Sequence, residues 1–131
     1  MGMLLGLGAA LALLVPSPSP SVDVCATSAR TVERGLTAFV ATIQRATDTD
    51  RGVAEAAVRE AGAVLVTLGR DLRAEAGQSA GAIGDTLRDL ADEFDRQGRA
   101  LTGVAALRAF DSRRLEALAE RMSGLCGGPP R

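Results

Sequence analysis

Two cysteines are the most reactive side chains in this chain: Cys25, in SVDVCATS, and Cys126, in GLCGGPPR. Four chemistries use cysteine. A lipid anchor needs Leu three positions before the cysteine and a small residue just before it; here Val22, Asp23 and Val24 precede Cys25, and Asp23 and the bulky Val24 fit poorly. Redox pairs usually stand close, as in CxxC, whereas these two are 101 positions apart. A metal site needs further cysteines or a histidine, and the chain has neither. A Cys25–Cys126 disulfide remains, favoured by an even cysteine count in an exported chain. Closing a loop of that size removes about 4.7 kcal/mol of unfolded-chain entropy in the usual model.

The other chemistry-bearing residues read as structural. Asp85, Asp89, Asp92, Glu93 and Asp95, in DTLRDLADEFDR, carry the oxygens that Ca²⁺ or Mg²⁺ prefers. Their spacing is not that of an EF-hand loop, and Arg88 and Arg96 stand among them, so a solvated, ion-paired helix face is expected. Gly77, Gly81 and Gly84 follow no strand and precede no GK[ST], which makes them a loop and a close-packed first turn rather than a phosphate cradle. Arg113-Arg114 is too far from the N-terminus for a twin-arginine export signal, and Arg113 is expected to pair with Glu116. Ser and Thr are plentiful, yet no His or Lys is present to activate one. A carboxylate-pair glycosidase remains open by residue type alone, but sugar clefts use aromatic platforms and the chain has three Phe and no Tyr or Trp. No enzymatic activity, no metal and no cofactor are expected.

Composition narrows the partners. All 15 cations are Arg, against 16 Asp plus Glu, for a net charge of −1. No basic block exists to meet nucleic acid or an anionic membrane, and base-stacking aromatics are missing. Residues of the apolar set make up 47% of the chain and rest on Ala, Leu and Val, a mixture that favours helices over strands. The absence of Lys, Asn, His, Tyr and Trp resembles high-GC bacterial coding.

The elements that must position these residues begin with an address. Met3 to Val15 is uncharged and apolar, too short to span a bilayer comfortably but suited to a secretory h-region. PSPSPS follows, and small residues at Ser19 and Ser21 place the cut between Ser21 and Val22. One feature departs from the pattern: no Lys or Arg precedes Arg30, as a start upstream of Met1 would explain. Residues 1–21 therefore read as a signal peptide, 22–127 as one helical domain and 128–131 as a disordered tail.

Within the domain the apolar period is helical throughout. Val32, Leu36, Phe39, Val40 and Ile43 stripe a first helix from Ala26 to Ala46. Val53, Ala57, Ala61, Leu65, Leu68 and Leu72 stripe a second, from Arg51 to Glu75, capped by Thr49 or Asp50 and ended by Gly77 as a C′ glycine. Ser79 caps a third, Ala80 to Leu101, striped by Ile83, Leu87, Leu90, Phe94 and Leu101. Residues 102–110 connect, with a short helical turn and with Val104, Leu107 and Phe110 docking. Asp111 or Ser112 caps the last helix, striped by Leu115, Leu118, Met122 and Leu125. Glu55–Arg59, Asp92–Arg96 and Asp95–Arg99 are expected i, i+4 pairs. Short connections predict an all-α, up-down antiparallel bundle of about four helices. An even helix count brings Cys25 and Cys126 to one end, where the disulfide closes the bundle.

A leader, a cysteine near the mature start, Ala/Leu/Arg/Asp-rich helices with LADEFDRQGRAL, and a terminal LCG together resemble small exported actinobacterial proteins of unassigned function. That resemblance covers Cys25 to Gly127 and implies an extracytoplasmic helical domain with no active site. Exported mycobacterial haem-binding proteins are also small, helical and stapled at their ends. They would be expected to use His or Tyr, so haem binding does not carry over.

The expected function is a non-catalytic binding module, secreted or in the cell envelope. Its partner is an envelope component or another protein met through an Arg/Asp-rich face, with membrane contact only during export. An exposed apolar patch would locate that contact. The alternative is a carrier of a small apolar ligand between Ala-, Gly- and Val-rich helices, which a mid-bundle apolar cavity would favour. Further alternatives are a lipoprotein anchored at Cys25 and, with an uncleaved leader, a domain tethered to the membrane on a PSPSPS stalk.

Overall fold

The structure is a computed structural model and describes residues 20–127. Residues 1–19 of the expected leader and the tail at 128–131 lie outside the described residues. Five α-helices follow one another: α1 Pro20–Ile43, α2 Arg51–Ala76, α3 Gly81–Ala100, α4 Val104–Arg108 and α5 Arg113–Leu125, with a 3₁₀ turn at Gln44–Thr47 after α1. No strand occurs among the described residues. The four longer helices form the expected up-down antiparallel bundle, and α4 is the helical turn foreseen within 102–110. The Cys25–Cys126 disulfide closes it, with the two Cα atoms 5.8 Å apart.

α1 begins six residues before the expected Ala26, so Cys25 lies in its second turn rather than at its start. One start signal accounts for the difference: Asp23 sits in the first turn, near the positive end of the helix dipole. α2 starts as expected: the Asp50 carboxylate accepts a hydrogen bond from the Val53 N–H at 3.1 Å. Its end differs. Gly77 keeps a right-handed backbone (φ −64°), and the left-handed glycine of this turn is Gly81, with φ +70°. Ala80, not Ser79, is the N-cap of α3 and supplies no side-chain hydrogen bond.

The core centres on the α2–α3 pair. Val58, Leu65, Leu72 and Leu87 are its largest fully buried side chains. The two backbones come unusually close because glycines face each other. A Cβ on Gly62 or on Gly98 would collide with the carbonyl oxygen of the other, and one on Gly98 would also stand 2.9 Å from Val66 N. One turn pair away, a Cβ on Gly69 would stand 2.7 Å from the Ala91 carbonyl oxygen. Gly124, on α5, has open space around it; Gly124→Ala should raise stability by about 0.5–1 kcal/mol through helix propensity alone. Chemical denaturation would check this, and a loss of stability would show a contact at that site.

Several expected core positions are not buried. Val53 and Leu125, read as stripe residues, are exposed at the ends of their helices. On α1 the expected apolar stripe is not the face that packs against α2. That face carries Ser28, Thr31, Gly35 and Thr42, and three of these are buried polar residues. The Ser28 and Thr31 hydroxyls donate to the Glu75 carboxylate at 2.9 and 2.6 Å, while Leu68 fills the notch at Gly35. Thr42 returns its hydroxyl to the Ala38 carbonyl at 2.9 Å. Small hydroxyls satisfied in place let α1 lie against α2 and turn its large apolar residues elsewhere. Leu36 is 39% exposed and Val40 51%.

Candidate functional site

α1 and α5 are the first and last helices of the bundle, and a fully closed bundle would pack them together. Here their backbones barely approach one another away from the disulfide. At one end of the seam Cys25 is bonded to Cys126; at the other the rings of Phe39 and Phe110 meet with centroids 6.2 Å apart. Between these ties lies a cleft of about 600 Å³, within the range of about 300–1,000 Å³ typical of small-molecule sites. Val32, Leu36 and Phe39 of α1 form one wall, and Leu115, Ala119 and Met122 of α5 the other. Leu65, Leu87, Leu90 and Phe94 make the floor. Three serines and one charged residue, Glu33, complete the lining. Glu33 is exposed and has no ion-pair partner among the described residues.

Apolar walls reach this length because of how α1 is seated. Its polar face takes the α2 contact, so the stripe from Val32 to Phe39 is left to line the seam. Sequence patterning marked those residues and Leu115 and Met122 as apolar stripes; Met122 belongs to the core and Val32, Phe39 and Leu115 pack against it, and what periodicity did not separate is core from cleft wall. The signal that distinguishes the two is the buried Ser28, Thr31, Gly35, Thr42 series, a second helical stripe of small residues on α1.

The sulfur of Cys25 is used by its bond to Cys126 and has no valence left for a lipid thioether. Disulfides persist in oxidising compartments outside the cytoplasm. No described helix is long and apolar enough to cross a membrane. The acids of the α3 cluster each face an arginine. Asp85 pairs with Arg88 at 3.1 Å, Asp89 with Arg121 at 3.9 Å, Asp92 with Arg73 at 2.6 Å and Asp95 with Arg99 at 2.9 Å. Only Asp95–Arg99 is an i, i+4 pair of those expected. Arg96 turns to Glu93 instead of Asp92, Arg113 to Asp111 rather than Glu116, and Glu55 accepts from the Val104 N–H at 3.1 Å where α4 begins. Arg96 and Arg113 thus take nearer local carboxylates, and only Glu55 is drawn off by a tertiary partner.

Glu93 departs most from a solvated face. It is buried under α5, where the Arg96 guanidinium and the Gln97 amide (2.9 Å) donate to it and Arg114 stands 3.5 Å away. Burial by itself pushes its carboxyl up, but the hydrogen bonds from Arg96 and Gln97 and the charges of Arg96 and Arg114 outweigh it and hold it below the ordinary 4.5. Asp111 is held down to about 2, first by the Arg113 side chain and then by the Arg113 backbone N–H. Both folded-state values lie below the unfolded ones. Their stabilisation is present above the ordinary carboxyl range and is lost as pH falls through the folded values. With no histidine and both cysteines oxidised, these residue types contribute no switch near neutrality. The thermal midpoint should therefore drop between about pH 4.5 and pH 2, and Glu93→Gln should flatten that drop. An acid limb unchanged in Glu93→Gln would remove Glu93 as its source.

The fold and cleft together define a class: an all-α antiparallel bundle with an apolar cleft at the seam between its terminal helices. No protein-family model, curated protein or solved structure matches the chain.

Proposed function

We propose that this chain is an exported, non-catalytic binding protein that carries a small apolar molecule in the cleft between α1 and α5. The observation that carries this reading is the cleft itself: about 600 Å³ between α1 and α5, whose backbones barely approach one another, walled by apolar side chains. Burying a ligand there removes apolar surface on both partners from water, at about 25 cal/mol per Å². Export is supported by the apolar leader of the sequence and by the disulfide, which suits an oxidising compartment. The high-GC composition supports an actinobacterial source.

Titration with the neutral, solvent-sensitive dye Nile red tests the reading. Fluorescence should rise and saturate at one dye per chain. Ala119 lines the cleft from α5 and is exposed, so Ala119→Phe fills the space without entering the core. It should abolish saturable binding while leaving the melting curve intact. Equal dye binding in wild type and Ala119→Phe would place the dye elsewhere and end the reading.

A second reading is a protein-interaction module. The exposed Leu36 and Val40 on α1 favour it, since they add apolar surface at and beside the cleft wall. The Arg/Asp-rich faces do less for it, because their charges are largely paired within the chain.

A further inference from the structure

We propose that the cleft takes an anionic amphiphile: a single-chain fatty carboxylate, with its tail in the cleft and its head beyond Phe110, at Arg96 and Arg114. The inference rests on the binding reading above and deepens it by naming the ligand class.

The shape of the cleft suits an extended chain. From Cys25 to Phe39 the cleft follows α1 for about 21 Å, at 1.5 Å per residue. Its 600 Å³ spread over that length makes the cleft elongated, which suits an extended hydrocarbon chain.

The head is placed by a second cavity. Phe110 lines the apolar cleft and also a neighbouring cavity of about 340 Å³ between the end of α3, α4 and the start of α5. The two spaces therefore adjoin across one side chain, and the second is the more polar, with Arg96, Gln97, Asp111 and Arg114 beside apolar residues in its lining. The charges around it do not balance. Arg113, outside the lining, engages Asp111 through Nη2 at 2.8 Å, while Arg96 and Arg114 in the lining share the single buried carboxylate of Glu93. One positive charge is left over. Arg96 spends its hydrogen bonds on Glu93, whereas Arg114 donates none among the described residues and is more than half exposed. A guanidinium with its planar set of donors unused suits a carboxylate, which it can grip through two parallel hydrogen bonds. A carboxylate arriving from the cleft would restore neutrality. Glu33, on the α1 wall, is the only charge inside the cleft and disfavours an anionic head at mid-length. It directs the head toward the Phe110 end.

Competition against Nile red on the full chain separates the possibilities, using laurate, dodecanol and dodecyltrimethylammonium. These share a tail and differ in head charge. Laurate should displace the dye about tenfold more tightly than dodecanol, the factor expected of one charge-assisted pair. That margin should shrink as salt rises. Arg114→Gln should bring laurate down to the affinity of dodecanol. Ala109→Glu, which puts an acid into the second cavity at an exposed position, should do the same without removing any partner of Glu93. Equal displacement by laurate and dodecanol overturns the head assignment and leaves the apolar carrier standing. Tightest displacement by the cation overturns it in favour of Glu33. Failure of all three, with no saturable dye binding, overturns the carrier reading and this inference with it.

Discussion

Gly98→Ala is expected to cost about 3–5 kcal/mol of stability, near the top of what a single substitution does. The added methyl has no room. It would run into the Gly62 carbonyl oxygen and stand 2.9 Å from both Val66 N and Val66 Cγ2. Two of these three obstacles are backbone, so no rotamer change relieves them, and α2 and α3 must separate along their length. Separation weakens the contacts of Leu65, Leu72 and Leu87, which depend on close packing across the same pair. Helix propensity pulls the other way by about 1 kcal/mol and is outweighed. Urea unfolding measures the difference, with Gly124→Ala as the control that adds the same methyl in open space. Similar stability for the two variants would mean that the close approach of α2 and α3 is not present in solution.

The second large effect concerns the staple. Replacing Cys25 and Cys126 together by serine should lower stability by about 2–5 kcal/mol, because the loop they close is long and the unfolded chain regains its freedom. The loss should fall unevenly. α2 and α3 pack extensively against each other, whereas α1 is tied to α5 by little beyond the staple, and to the linker before α5 by the Phe39–Phe110 contact. Hydrogen exchange should therefore speed up most in α1 and α5 and least in α2 and α3. Nile red binding should weaken in the same variant, since one end of the cleft is no longer tied. A uniform rise in exchange over all helices would show that the seam carries more of the stability than its contacts indicate.

The helices and their order were legible in the sequence because the apolar period is clean and Pro, Gly and Asp mark the breaks. The staple was legible because an even helix count and two end cysteines point the same way. The cleft was not. Val32, Leu36, Phe39, Leu115 and Met122 carry the same pattern whether they close a core or line an opening, and periodicity does not separate the two. The choice is made by Ser28, Thr31 and Gly35, whose value lies in being small, and by Glu75, a partner more than forty positions away in the chain. Gly62 and Gly98 were passed over for a related reason. A glycine in a helix looks like a defect until the facing backbone is known. Buried Glu93 escaped notice because its neighbours Asp92 and Asp95 are ordinary surface acids, and only the docking of α5 sets it apart.

The staple also has a topological consequence. From Cys25 round to Cys126 the main chain and the sulfur bridge form one covalent ring that contains α2, α3, α4 and α5 entire. A single cut by a protease in either exposed linker, at 48–50 or at 77–80, opens the ring without releasing a fragment. The two pieces stay joined through sulfur and held side by side by the α1–α2 packing after the first cut, or by the α2–α3 seam after the second. Such a nicked molecule would migrate as one band until a reductant is added, and as two afterwards.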